Sequence, residues 1–285
     1  MPSSLEYLIS AQNEAGGWGY LPGQRSVVEP TAAVLTAIRD KEKATSSYEK
    51  GIAWLNRCQN QDGGWGIHED DLESGWQTAW ALIALKNSNA GGNTISRGIE
   101  WLTNVSTNLI TREDFENQNL PLSDNVGALV WPWLPGQVYW IEPTALAVLA
   151  LNGIKLSPVA SIRMRAAIEY FRQNRTPIGG WDVGNAGPYD SVVLPQIYRT
   201  SLVLLALSVV DPNEIIPNDL SAIRLEMEQD PSILSLSSGL LGLRTVGEDD
   251  GNAYSQITDN QLPDGSWNSN IFFTAWAQMA LRGYF

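Results

Sequence analysis

The sequence predicts an all-α protein, an (α/α)6 toroid of six helix hairpins, as a single domain over residues 1–285. Three observations carry this. A Gly-X-Trp turn recurs along the chain, a Thr-Ala…Ala-Leu pattern follows it in register, and amphipathic segments alternate with almost wholly apolar ones. The twelve tryptophans of this 285-residue chain are therefore not scattered but periodic.

The turn appears at Gln12…Gly16-Gly17-Trp18, Gln59…Gly63-Gly64-Trp65, Gln173…Gly179-Gly180-Trp181 and Gln261…Gly265-Ser266-Trp267. The second pattern runs Thr31-Ala32…Ala37-Ile38, Thr78-Ala79…Ala84-Leu85, Thr144-Ala145…Ala150-Leu151, Thr200-Ser201…Ala206-Leu207 and Thr274-Ala275…Ala280-Leu281. A weaker copy without Thr ends at Gly242-Leu243. Trp18, Trp65 and Trp131 each stand 13 residues before their Thr. The repeats place six hairpins at roughly 1–40, 45–88, 93–153, 155–211, 213–246 and 250–285.

In the first helix of a hairpin, such as residues 46–55, Tyr48, Ile52 and Leu55 share one side and Glu49 and Lys50 lie on another, so one stripe is buried. The second helix, such as residues 144–151, is apolar all round and is expected to be buried on every side. Outer amphipathic helices around inner apolar ones make two concentric layers, and closing six pairs removes the ends that an open solenoid must cap. The repeat is interrupted by a polar insertion at 104–128 and a Gly/Pro loop at 182–197, and the fifth hairpin lacks its Gly-Trp. Asp182, Tyr189 and Asp190 in the second of these are candidates for the rim of a pocket, or a plain polar loop.

Composition narrows the function. Eighteen basic residues against 31 acidic give a net charge of −13, which repels phosphate backbones and anionic lipid, so nucleic-acid partners are not expected. With 44% hydrophobic and 17% charged residues, disorder is not expected either. Cys58 and His68 are the one cysteine and the one histidine, too few for a disulfide framework or a Cys/His zinc site. No basic leader and no transmembrane stretch is apparent, and a cytoplasmic location is expected. No Gly-rich phosphate loop occurs. No metal and no cofactor is expected.

A Gln and a Gly-X-Trp turn after an outer helix resemble the QW repeat of the terpenoid cyclase and prenyltransferase superfamily, which includes the squalene-hopene cyclases. The resemblance spans nearly the whole chain, weakest across the fifth hairpin, and implies a single toroid. It further implies chemistry where the inner helices begin, just before the repeated Thr. Cyclases of this superfamily carry an Asp-X-Asp-Asp-Thr-Ala acid there. This chain has Val27-Val28-Glu29-Pro30-Thr31-Ala32 and Trp140-Ile141-Glu142-Pro143-Thr144-Ala145 instead. The Asp, Cys and His zinc ligands of the protein prenyltransferases have no counterparts.

The candidate acids are Glu29, Glu142, Asp70, Asp71 and Asp190. Glu29 and Glu142 are also read as first-turn carboxylates that complement the helix dipole. His68-Glu69-Asp70-Asp71 is also read as a solvated acidic loop. Trp76, Trp80, Tyr198, Phe272 and Trp276 open the inner helices and are the candidate substrate-binding wall, since aromatic faces stabilise cations. Plain core packing is the other reading. Three functions remain in view. One is a cyclase-like enzyme acting on an apolar, isoprenoid-like small molecule. Another is a non-catalytic toroid that binds a lipid or a protein partner. The third is an (α/α)-barrel glycosidase using two carboxylates.

Overall fold

The computed structural model describes residues 3–39, 45–86, 88, 91–108, 129–182 and 194–285. Among them are twelve α-helices and no β-strand, only two isolated bridges. The helices form six pairs, taken here in chain order. They are α1 (Ser4–Ser10) and α2 (Val28–Ile38), α3 (Thr45–Arg57) and α4 (Gln77–Lys86), and α5 (Gly92–Asn104) and α6 (Ile141–Leu151). Then come α7 (Pro158–Gln173) and α8 (Ile197–Val210), α9 (Pro217–Gln229) and α10 (Ile233–Thr245), and α11 (Gly251–Asp259) and α12 (Ile271–Arg282).

The even-numbered helices form a closed inner ring. Each packs against the next, from α2 through α4, α6, α8 and α10 to α12, and α12 packs back on α2. Every residue of α2 and of α6 is buried, as a helix apolar on all sides requires. The odd-numbered helices lie outside, each with one apolar stripe turned inward; in α3 these are Ile52, Trp54 and Leu55.

The periodic residues are the joints of this ring. The indole Nε1 of Trp18, Trp65, Trp181 and Trp267 donates to the carbonyl ten residues upstream, on Leu8, Leu55, Phe171 and Ile257, at 2.7–2.8 Å. Trp131 makes the same bond to Leu102 across the long insertion. The backbone N–H of each of these tryptophans donates to its repeated threonine, at 2.8 Å to Thr31 and 2.9 Å to Thr78. Thr144, Thr200 and Thr274 accept in the same way. The Trp-to-Thr register is thus a hydrogen-bond register that fixes each turn to its inner helix.

Gln12 and Gln59 stitch a turn to the next outer helix. The Gln12 amide donates to Gly16 and to Ser47 of α3, and the Gln59 amide to Gly63 and to Thr94 of α5. In the fourth hairpin the structure corrects the assignment of Gln173, which is exposed and bonds Glu169. Arg175, six residues before Trp181, takes the place of the glutamine. It pairs at 3.0 Å with Asp219 of α9, which is fully buried and also accepts from the Gly180 N–H. The first glycine of the turn is obligatory on two counts. Gly63 has φ +97°, and a Cβ there would lie 2.8 Å from the Arg97 carbonyl oxygen of α5.

Candidate functional site

The inner helices all begin at the same end of the ring, and the slot two residues before the repeated Thr lies there. Around the ring it holds Glu29, Trp76, Glu142, Tyr198 and Phe272, with Leu234 in the hairpin that lacks the Thr. Glu29 and Glu142 sit in the first turns of α2 and α6, each followed by a proline. A first-turn N–H has no intrahelical acceptor, so the proline costs no hydrogen bond there.

Both glutamates are buried, 9% and 8% exposed. The Glu29 carboxyl accepts a hydrogen bond from the Tyr20 hydroxyl. Glu142 faces the Arg199 guanidinium of α8 at 3.5 Å. Burial pushes the Glu29 carboxyl up to about 7; the Tyr20 hydrogen bond opposes the rise and the Glu142 charge adds to it. Burial also pushes the Glu142 carboxyl up to about 7, against the pull of Arg199. A helix N-terminus favours the carboxylate by about 0.3–2 kcal/mol. The phenol of Tyr198 lies within the field of both carboxylates, and burial followed by those charges raises it well above the usual tyrosine value.

Beneath these groups the axis is aromatic. Trp276 meets Tyr198 at 5.3 Å between ring centroids, Phe272 at 6.1 Å and Trp80 at 6.3 Å, all edge-to-face. Tyr20 meets Phe272 at 6.0 Å, so the residue that bonds Glu29 also joins the aromatic cluster. Phe285 packs on Trp80 and Trp276 at 5.9 and 5.6 Å. Three buried polar atoms here, Trp80 Nε1, Trp276 Nε1 and Tyr198 Oη, find no hydrogen-bond partner among the described residues. Each such atom left unpaired costs about 1–3 kcal/mol.

The other sequence candidates lie apart. Trp76 precedes α4 and packs edge-to-face on Trp133 at 5.0 Å, a separate aromatic pair from the Trp80 cluster. Asp70 is 77% exposed and pairs with Arg25. Asp71 holds its own loop, accepting from the backbone N–H groups of Ile67 and Glu73. Tyr189 and Asp190 lie outside the described residues. Asp182 is buried next to Trp181. Among the described residues no group of three or more His, Cys, Asp or Glu is placed to hold a metal ion. Sequence reasoning missed Tyr20, Arg199 and Phe285. Tyr20 had a signal. It stands two residues after Trp18, the slot of Ile67 and Trp133, whose carbonyls accept from the N–H of Val28 at the start of α2 and of Trp76 just before α4.

A closed ring of apolar helices, jointed by Gly-Trp turns and opening on carboxylates above aromatic rings, is an α/α toroid. The sequence profile of the squalene-hopene cyclase C-terminal domain matches residues 1–116. No curated protein matches the chain by sequence. Among solved structures, the chain is similar to a protein from Actinoplanes at 17% identity and a TM-score of 0.65, over 98% of this chain and 97% of that one. It is similar to the type II terpene cyclase MstE from Scytonema at 16% identity and a TM-score of 0.62, over 98% and 95%. A variant of that enzyme is known in complex with geranylgeranyl dihydroxybenzoate as substrate. An alpha-amylase from Clostridium perfringens shares the fold at 11% identity and a TM-score of 0.66, over 99% and 97%. At these identities the likeness is one of fold. Among the described residues no helix is long and apolar enough to cross a membrane.

Proposed function

We propose that this chain works as one toroid domain over residues 1–285, in the cytoplasm, and binds an apolar, isoprenoid-like molecule at its axis. A carboxylic acid at the ring mouth, from the Glu29–Glu142 pair, protonates a carbon–carbon double bond of that molecule. The observation that carries this reading is the pair itself: two buried carboxyls raised to about 7, set over a cluster of aromatic rings. A carboxyl delivers a proton to an alkene only if it is protonated at working pH, and desolvation is the ordinary way to achieve that.

The step balances simply. The acid O–H bond breaks, a C–H bond forms at one alkene carbon, and the electron pair of the O–H bond stays on the carboxylate. The other alkene carbon becomes cationic and is attacked by a further double bond of the same molecule, closing a ring. Loss of a proton from the final cation completes the reaction. The faces of Trp80, Phe272, Trp276 and Tyr198 supply a medium that stabilises positive charge without acting as a nucleophile. Asp70 and Asp71 are weaker candidates because Asp70 pairs with Arg25 on the surface and Asp71 is taken up by the backbone N–H groups of Ile67 and Glu73. Asp190 stays a candidate by its place in the sequence ahead of α8.

The test is incubation of the purified protein with linear polyprenyl substrates, beside Glu29→Gln, Glu142→Gln and Asp190→Asn. Cyclised product that disappears in a glutamate variant supports the reading; no product from any substrate leaves a binding toroid. A second reading, glycoside hydrolysis, draws on the same pair of carboxylates on a ring that the alpha-amylase shares. Release of reducing sugar from a polysaccharide panel would favour it.

A further inference from the structure

The two mouth glutamates are not equivalent. The partner of Glu142 is a cation, the Arg199 guanidinium at 3.5 Å. The partner of Glu29 is a neutral donor, the Tyr20 hydroxyl. A guanidinium favours the ionised carboxylate over the acid. A phenol hydrogen bond discriminates far less, because it can donate to the carbonyl oxygen of the neutral acid as well as to the anion. The charges of the two glutamates are also coupled, so ionising one disfavours ionising the other. The groups that face them are Tyr20 from the turn before α2, and Tyr198 and Arg199 from α8.

We propose that the pair holds a single proton near neutral pH, that Glu29 carries it while Glu142 stays ionised against Arg199, and that Tyr20 positions the Glu29 acid. This rests on the cyclase-like reading for its use but not for its test. The Tyr20 hydroxyl occupies one oxygen of Glu29, which leaves the other to carry the proton. When that proton moves to a substrate carbon, two carboxylates face one guanidinium, and the new positive charge on the substrate completes the balance. Glu142 thus acts as a fixed counter-charge at the place where the cation is born. Tyr20 also packs on Phe272, so the aromatic wall and the acid share one support.

The test is a carbon-13 NMR titration of the whole chain labelled at the glutamate side-chain carboxyl, with the two resonances assigned by Glu29→Gln and Glu142→Gln. The expected order is Glu142 ionising first and Glu29 last, with midpoints at least about one pH unit apart. Arg199→Gln should close or invert that gap, and Arg199→Lys should keep its order. Tyr20→Phe should move the Glu29 midpoint upward and leave the Glu142 midpoint within a few tenths of a unit. Reversed order, or both carboxyls titrating in the ordinary range below about 5, overturns the assignment. The titration needs no substrate, so a protein that turns over no polyprenyl compound can still support or overturn it. Conversely, cyclised product with the reversed order would keep the function and reject the division of roles.

Discussion

At the scale of single residues, buried polar groups decide both the joints and the site. Trp65 is fully buried and spends its indole N–H on Leu55 and its backbone N–H on Thr78. Trp65→Ala is expected to cost about 3–5 kcal/mol, the range for a buried aromatic cut to alanine, read as a lower midpoint in urea denaturation. Thr78→Val keeps the volume but orphans the tryptophan N–H, and should cost about 1–3 kcal/mol; Thr78→Ser should recover most of it. The mouth carboxyls act the other way. A carboxyl raised to about 7 on folding binds its proton more tightly in the folded chain than in the unfolded one. The stability this lends is complete below the unfolded value near 4.3 and is lost as pH rises through 7. Glu29→Gln, which removes that titration, should therefore raise the melting temperature relative to the parent more at pH 8 than at pH 5. An equal difference at both pH values would mean that the carboxyl ionises normally in the folded protein.

At the scale of elements, the inner helices were the most legible part of the sequence. Their apolar runs and the Thr-Ala…Ala-Leu spacing report burial on all sides, and α2 and α6 are buried throughout. The Gly-Trp turns were legible as a register, but the sequence did not disclose the bonds that make it. The fourth hairpin shows why. Arg175 with buried Asp219 does the joining that glutamine does elsewhere, and a change of chemistry at a conserved geometry hides from a pattern of letters. The site was half legible for a related reason. Glu29 and Glu142 were legible as carboxylates at inner-helix starts, but their partners were not: Tyr20 lies in the turn before α2, and Arg199 of α8 is near Glu142 only in the ring. The turn glycines carry the element-scale prediction. Gly63→Ala forces a side chain into a left-handed conformation, at about 1–2 kcal/mol, and pushes it into the Arg97 carbonyl at 2.8 Å. Its loss of stability should exceed that of Gly92→Ala, where nothing lies within 4 Å of the added carbon.

At the scale of the whole molecule, the seam between the last hairpin and the first is built like the first two seams along the chain. The Val28 N–H donates to Ile67 and the Trp76 N–H to Trp133, linking one hairpin to the next, and the Ile271 N–H donates to Tyr20 in the same way at 2.8 Å. Further bonds cross that seam, from Tyr7 to the Ser269 carbonyl and from Gln278 and Tyr284 to the Ala37 carbonyl. A molecule joined alike at this seam need not be read from residue 1. Connecting Phe285 to Ser3 through a short Gly/Ser linker, and opening the chain between Ile154 and Lys155 in the turn that follows α6, should give a circular permutant. It should keep the helical far-UV spectrum and a single cooperative melt; a non-cooperative melt would show that free ends are needed at the original seam. If the permutant folds, no one of the six hairpins has to come first for the ring to close, and the fold has a circumference rather than an order.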